Sequence, residues 1–127
     1  MDKLYFDGNE KRIAWIIENN ETKFEQTREH SEIYFDKVTS VQSKYIALHV
    51  GIFWAIGRFI IKDGEDVKIM IDLNSMYEHL TGKNQEDMFI RSRINFIKQI
   101  IEKRSLQVEF EIIEPSQNIA TNLLSSQ

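Results

Sequence analysis

The chain has 127 residues, with 16 Lys+Arg against 20 Asp+Glu and a formal net charge of −4. The absence of cysteine excludes disulfides and thiolate zinc sites, and 42% apolar with 28% charged residues excludes a disordered chain. The acidic balance argues against a generic basic nucleic-acid coat and leaves only a local basic patch open, while the length suits one domain spanning 1–127 with one core.

No repeat, low-complexity tract or Pro/Gly/Ser linker divides the chain. The opening Met1-Asp2-Lys3-Leu4-Tyr5 places no basic segment before an apolar run, so no secretory leader is expected and the cytoplasm is the default compartment. Lys3 to Asp7 alternates Leu4 and Phe6 with polar positions and predicts a strand ended by Gly8-Asn9. Arg12 to Ile17 predicts a second strand, Glu18-Asn19-Asn20-Glu21 a hairpin turn, and the polar stretch Lys23 to Glu32 an exposed third strand.

From Val41 the period changes. Val41, Tyr45, Leu48, Ile52, Ile56 and Phe59 form one helical stripe, with Ile46, Phe53 and Ile60 beside it, and Gly64 is expected to stop the helix. The apolar run from Tyr45 to Ile61 is interrupted by His49 and Arg58 and is closed off by polar flanks, so it predicts a buried central helix and not a membrane span. Val67 to Asp72 alternates as a strand; Leu73 to Leu80 predicts a short helix ending at Gly82. Met88 to Arg104 carries Ile90, Ile94, Ile97 and Ile101 at helical spacing. Leu106 to Ile113 is a last strand broken by Pro115, and Asn118 to Ser125 a last short helix. The order β-β-β-α-β-α-α-β-α implies an α/β fold, a mixed five-stranded sheet with helices on both faces.

In such sheets ligands gather at strand ends. Asp7 ends the first strand and Asp72 the central one, where two adjacent carboxylates are able to share a divalent cation. Asp72 also stands where a helix N-cap would, which leaves a purely structural role open.

The element order, the opening Tyr5-Phe6-Asp7-Gly8, the strand ending in Asp72 and the closing Asn118-Ile119-Ala120-Thr121-Asn122-Leu123-Leu124 together resemble type I ribonuclease H. That resemblance covers essentially the whole chain. It implies a ribonuclease H-like fold and four acidic residues holding two Mg²⁺ or Mn²⁺ ions to cut the RNA strand of an RNA–DNA hybrid. Asp7 matches the first acid and Asp72 the third, although Leu73 replaces the serine that follows it. The second acid precedes a Tyr-x-Ala-Leu-like run; here the run is Tyr45-Ile46-Ala47-Leu48, and Lys44 stands in the acidic position. Asn122 stands in the fourth, and Glu114-Pro115-Ser116-Gln117 lacks the histidine often found before the last helix.

The resemblance thus implies a site reduced from a formal −4 to −1, with Asp7 and Asp72 at −1 each, Lys44 at +1 and Asn122 neutral. Two-metal hydrolysis needs that lost negative charge. An ammonium about 4 Å from a metal is repelled by on the order of 4 kcal/mol per unit charge pair at an effective dielectric near 20. Lys44 is therefore expected to pair with Asp7 and Asp72 and take the cation's place. No cofactor is expected; Mg²⁺ or Mn²⁺ is required if the site is active, and Asp7 and Asp72 are then its ligands. The reading is a catalytically inactive, degenerate domain acting as a nucleic-acid-associated or protein-binding module. The rival is an active hybrid-specific nuclease recruiting Glu32 or Asp36 as a substitute ligand. A third is a homo-oligomeric interaction subunit using Ile33-Tyr34-Phe35 or the C-terminal helix.

Arg91, Arg93 and Lys98 fall on the predicted exposed side of their helix, where the resemblance implies contact with a hybrid backbone; a solvated helix face is the commoner explanation for such charges. Only Gly82 to Asp87 separates the two helices, so the basic, aromatic-rich insertion some family members use is missing. His30, His49 and His79 lack zinc spacing, His49 reads as a packed core histidine, and Trp15 and Trp54 read as core. The partner is then an RNA–DNA hybrid or a protein; oligomeric state is open.

Overall fold

A computed structural model describes residues 1–125. Five strands, β1 (Asp2–Gly8), β2 (Arg12–Glu18), β3 (Lys23–Glu29), β4 (Asp66–Ile71) and β5 (Gln107–Ile112), form one sheet in the order β3-β2-β1-β4-β5. The first three strands pair antiparallel, as short turns allow, whereas β4 lies parallel to both β1 and β5, as helical crossovers require. The helices are α1 (Ser40–Gly57), α2 (Asn74–Leu80), α3 (Met88–Lys103) and α4 (Thr121–Ser125), with a single 3-10 turn at Pro115–Gln117.

Alternation along the strands decides which face meets which helix. Leu4 and Phe6 of β1, Ile13, Trp15 and Ile17 of β2, and Val67, Ile69 and Ile71 of β4 join one buried cluster. Tyr45, Leu48 and Ile52 of α1 and Ile90, Ile94 and Ile97 of α3 close it from above. The intervening Ala14, Ile16 and Met70 are buried on the opposite face, where α4 lies across β1, β2 and β3. The sheet therefore carries helices on both sides. β3, at the edge, is exposed along nearly its whole length, and its run of charged residues suits an unpaired edge.

Three boundaries differ from the sequence expectation by three residues or more; the last helix starts at Thr121 and not at Asn118, after the 3-10 turn. β3 stops at Glu29, because His30 turns inward and residues 32–37 wind into consecutive turns with Asp36 at φ 58. α1 stops at Gly57 and not at Gly64. The chain reverses at Phe59 (φ 60), and the Ile60 and Ile61 amides both donate to the Ala55 carbonyl. Apolarity continues past the helix because Ile61 is still core, 1% exposed, without being helical. Gly64, at φ 81, serves the turn into β4, a conformation that favours glycine. No helix among the described residues is long and apolar enough to cross a membrane.

Candidate functional site

The β1–β4 register pairs Tyr5 with Met70, and continuing it two places sets Asp7 beside Asp72 at the ends of two central parallel strands. The N-terminus of α1 arrives over the same edge. A capping box fixes that start: Thr39 Oγ1 accepts from the Gln42 amide at 3.0 Å and Gln42 Oε1 from the Thr39 amide at 3.0 Å. Gln42 Nε2 also donates to Asp87 Oδ2 at 3.1 Å, while Asp87 Oδ1 caps α3 through the Ile90 amide at 3.1 Å. The starts of both long helices are thereby tied together.

Close packing then sets the height of α1 over β1. A Cβ placed on Gly8 would lie 2.2 Å from Ser43 Oγ and 2.7 Å from the Ser43 carbonyl carbon and oxygen, so only glycine lets the helix approach. Ser43 is fully buried, and its hydroxyl lies 2.8 Å from His30 Nε2, which also reaches the Asn9 carbonyl at 3.0 Å. Nε2–H is shared between the Asn9 carbonyl and Ser43 Oγ as acceptors, and the Ser43 hydroxyl in turn donates to the Arg12 carbonyl at 3.4 Å, which satisfies this group of atoms. Burial pushes the His30 pKa down, opposed by the Asn9 hydrogen bond, so the ring is held neutral.

One residue on, Lys44 Nζ donates to Asp7 Oδ1 at 2.5 Å and to Asp72 Oδ1 at 3.0 Å. The three side chains are 15%, 7% and 7% exposed, in the order Lys44, Asp7, Asp72. Each remaining carboxylate oxygen is also engaged. Asp7 Oδ1 accepts from the Gly8 amide at 2.8 Å, and Asp7 Oδ2 from Thr121 Oγ1 at 2.6 Å. Asp72 Oδ2 accepts from Asn118 Nδ2 at 2.9 Å. Burial, the largest influence on Lys44, works against its ammonium, but the hydrogen bonds and charges of Asp7 and then Asp72 outweigh it and raise its pKa. The lysine is consequently a fixed cation throughout the neutral range.

Several sequence expectations are refined here. Asp72 does not cap α2; Leu73 occupies that place and makes no side-chain cap. The residue of the last helix that bonds to Asp7 is Thr121, while the adjacent Asn122, expected there from the closing motif, is exposed. The turn from Asn118 into α4 is tight, with the Thr121 amide already donating to the Asn118 carbonyl, which brings position 121 to the carboxylate first. Asn118, quoted only as part of that motif, is 4% exposed and bonds to both Asp72 and the Phe6 carbonyl. Its signal was the asparagine that opens the closing stretch Asn118-Ile119-Ala120-Thr121-Asn122, ahead of the last helix. Asp36, 55% exposed at its side chain, pairs with Lys11 at 3.2 Å, and Glu32 is exposed on the same turn. Among the described residues no group of three or more His, Asp or Glu gathers as a metal site.

Arg93 does not lie on the exposed face. It is half-buried, donates to His49 Nδ1 at 2.9 Å and to Tyr34 Oη at 2.8 Å, and sits over the Tyr34 and Phe89 rings. His49 is correspondingly not in the core but at the half-buried seam of α1 and α3, stacked on Phe96 at 5.7 Å. Arg91 and Lys98 are exposed, with Arg91 Nε donating to the Gln85 carbonyl. Ile33 is exposed, but Tyr34 and Phe35 are half-buried. Trp15 lies wholly in the core, and Trp54 is half-buried.

No family model and no curated protein sequence matches the chain. Solved structures do. LC11-RNase H1 in complex with an RNA/DNA hybrid superposes with a TM-score of 0.80 at 18% identity, covering 97% of this chain and 93% of that one. The fold is that of ribonuclease H. RNase H1 from Halobacterium salinarum agrees at TM-score 0.74 and 17% identity, covering 96% and 92% of the two chains. The N-terminal RNase H domain of a Mycobacterium tuberculosis protein agrees at 0.73 and 11%, covering 96% and 88%. At these identities the likeness is one of ribonuclease H architecture.

The donor set at the strand ends does not fit a pair of divalent ions. Two carboxylates share one ammonium, and an amide and a hydroxyl hold their outer oxygens as donors, where a metal needs oxygen lone pairs turned toward it.

Proposed function

We propose that this ribonuclease H-like domain is hydrolytically silent and serves as a nucleic-acid-associated binding module. The observation that carries this reading is the ammonium of Lys44 bridging Asp7 and Asp72. A divalent ion entering beside it would be repelled by on the order of 4 kcal/mol per unit charge pair at 4 Å and an effective dielectric near 20. It would also have to strip both carboxylates of hydrogen bonds that already satisfy them. The lysine gives the pocket the positive charge its folding requires, without the Lewis acid that hydrolysis requires.

Support for nucleic-acid association is of a different kind. LC11-RNase H1, the likeness with a TM-score of 0.80, is a complex with an RNA/DNA hybrid. On this chain Arg91 and Lys98 are exposed on α3 within reach of phosphates, Arg91 with its Nε held by the Gln85 carbonyl, whereas Arg93 is committed to His49 and Tyr34. Contacts of this kind are electrostatic and carry no sequence preference.

Calorimetric titration of the whole chain with Mn²⁺ and Mg²⁺ tests the silent site: no binding is expected up to millimolar metal. Sub-millimolar binding abolished by Asp7→Ala, or cleavage of a labelled hybrid lost on Asp72→Asn, overturns it in favour of an active enzyme. Fluorescence anisotropy with the same hybrid tests the module. Binding should weaken steeply with salt, and the log–log slope should shrink by about 0.9 for each phosphate contact removed by Arg91→Ala or Lys98→Ala. Absence of any salt-dependent binding would remove the nucleic-acid part of the reading.

A further inference from the structure

A second feature lies along α1, on the seam with α3, two to three turns beyond Lys44. There the outer sides of the two helices leave an open groove of about 460 Å³. Its walls are apolar: Phe53 and Ile56 from α1, Phe96 and Ile100 from α3. Phe53 and Phe96 are 54% and 50% exposed, a cost in water that the fold does not need, since its core closes beneath them. The His49 ring completes the wall between them, stacked on Phe96 and tilted 46° to Phe53 at 5.1 Å. Burial first, and then the neighbouring Arg93 charge, press its pKa down to about 4, so at neutral pH it is an uncharged surface. At one end the lining becomes cationic with Lys103 and Arg104, and among the described residues no acidic one lines the groove.

We infer that this groove is a docking site for an amphipathic helix of a partner protein, with apolar side chains on one face and carboxylates at the end that meets Lys103 and Arg104. The groove itself selects a helix. Both walls are helices, whose backbone groups are already paired, so an extended peptide lying here would leave its own N–H and C=O groups without partners. A helix satisfies them internally, and can set a row of side chains between the Phe53–Ile56 and Phe96–Ile100 rows.

The charge selects an acidic tip. Arg104 is only loosely held by Asp63 at 3.6 Å on the surface, and Lys103 has no ion-pair partner among the described residues. A second copy of this chain does not match. Two copies carry −4 each, and the large exposed apolar residues on described helices are Phe53 and Phe96, which belong to the groove, and Met88 alone at the far end of α3. No described helix offers both the apolar row and the acidic tip.

The test uses a synthetic 16-residue helical peptide with leucines at every third or fourth position on one face and two glutamates at one end. Two controls carry lysines for the glutamates, or the same leucines scattered around the helix. Amide chemical-shift changes in the ¹⁵N-labelled full chain should cluster on Phe53, Phe96, Ile100 and Lys103. Affinity should fall about tenfold with Phe96→Ala, with Lys103→Glu and with the lysine-tipped control. Phe96 is half-exposed, so Phe96→Ala should keep the parent's circular dichroism; should it unfold, Lys103→Glu on the surface gives the same reading. Equal binding by either control, shifts centred elsewhere, or no binding at 1 mM peptide overturns the inference. So does a dimer by sedimentation that Phe96→Ala dissolves, because the occupant would then be a second copy.

Discussion

Lys44→Ala is the sharpest perturbation of the charge arrangement. It removes the ammonium shared by Asp7 and Asp72, whose side chains are each 7% exposed, and leaves two carboxylates facing one another. Removing one partner of a buried ion pair costs about 3–5 kcal/mol. The Gly8 amide, Thr121 and Asn118 still donate to these oxygens, and Lys44 was itself 15% exposed, which points to the lower end, about 3 kcal/mol. For a chain of this size that is a fall in Tm on the order of 10 °C.

The pH dependence distinguishes this from simple loss of packing. In the parent the folded-state pKa of Lys44 is raised, so its stabilisation is fully present below the ordinary value of 10.5 and is lost as pH rises beyond it. In the variant the like-charged carboxylates favour taking up a proton on folding, so its deficit should be greatest at neutral pH and narrow toward pH 4. Urea unfolding of parent, Lys44→Ala and Lys44→Met between pH 4 and pH 11 measures both. A deficit below about 0.5 kcal/mol at pH 7, or one unchanged across the acid range, would refute the built-in cation.

Gly8→Ala should cost more than 3 kcal/mol or prevent folding, because the new methyl meets Ser43 backbone atoms at 2.7 Å, whereas Gly57→Ala, with nothing within 4 Å, should stabilise by up to about 1 kcal/mol; thermal melts compare them. His49 should remain neutral by NMR titration to about pH 4, and since unfolded chains protonate their histidines nearer 6.5, stability should fall as pH drops through that interval, less steeply in His49→Gln. Lys44→Glu combined with Thr121→Asp should create Mn²⁺ binding by calorimetry that Lys44→Glu alone does not show, because position 121 is bonded to Asp7.

By itself the sequence determined the order of strands and helices and the placing of two carboxylates at strand ends. It also set a lysine at the start of the central helix. These are local matters: side-chain periodicity, turn residues and hydrophobic runs act between near neighbours in the chain. It misplaced the end of α1, because apolarity at Ile60 and Ile61 reports burial and not helicity. It also misjudged Arg93, because a helical wheel shows which way a residue points but not what another helix has brought opposite it. What closes the site was decided only in three dimensions. Asn118 reaches Phe6 and Thr121 reaches Asp7 across separations of 112 and 114 residues, and the β1–β4 register brings Asp7 beside Asp72. That position 121 of the last helix faces the carboxylate depends on how tightly the chain turns after Asn118. One residue of helix is a rotation of about 100°, and tertiary packing alone selects it.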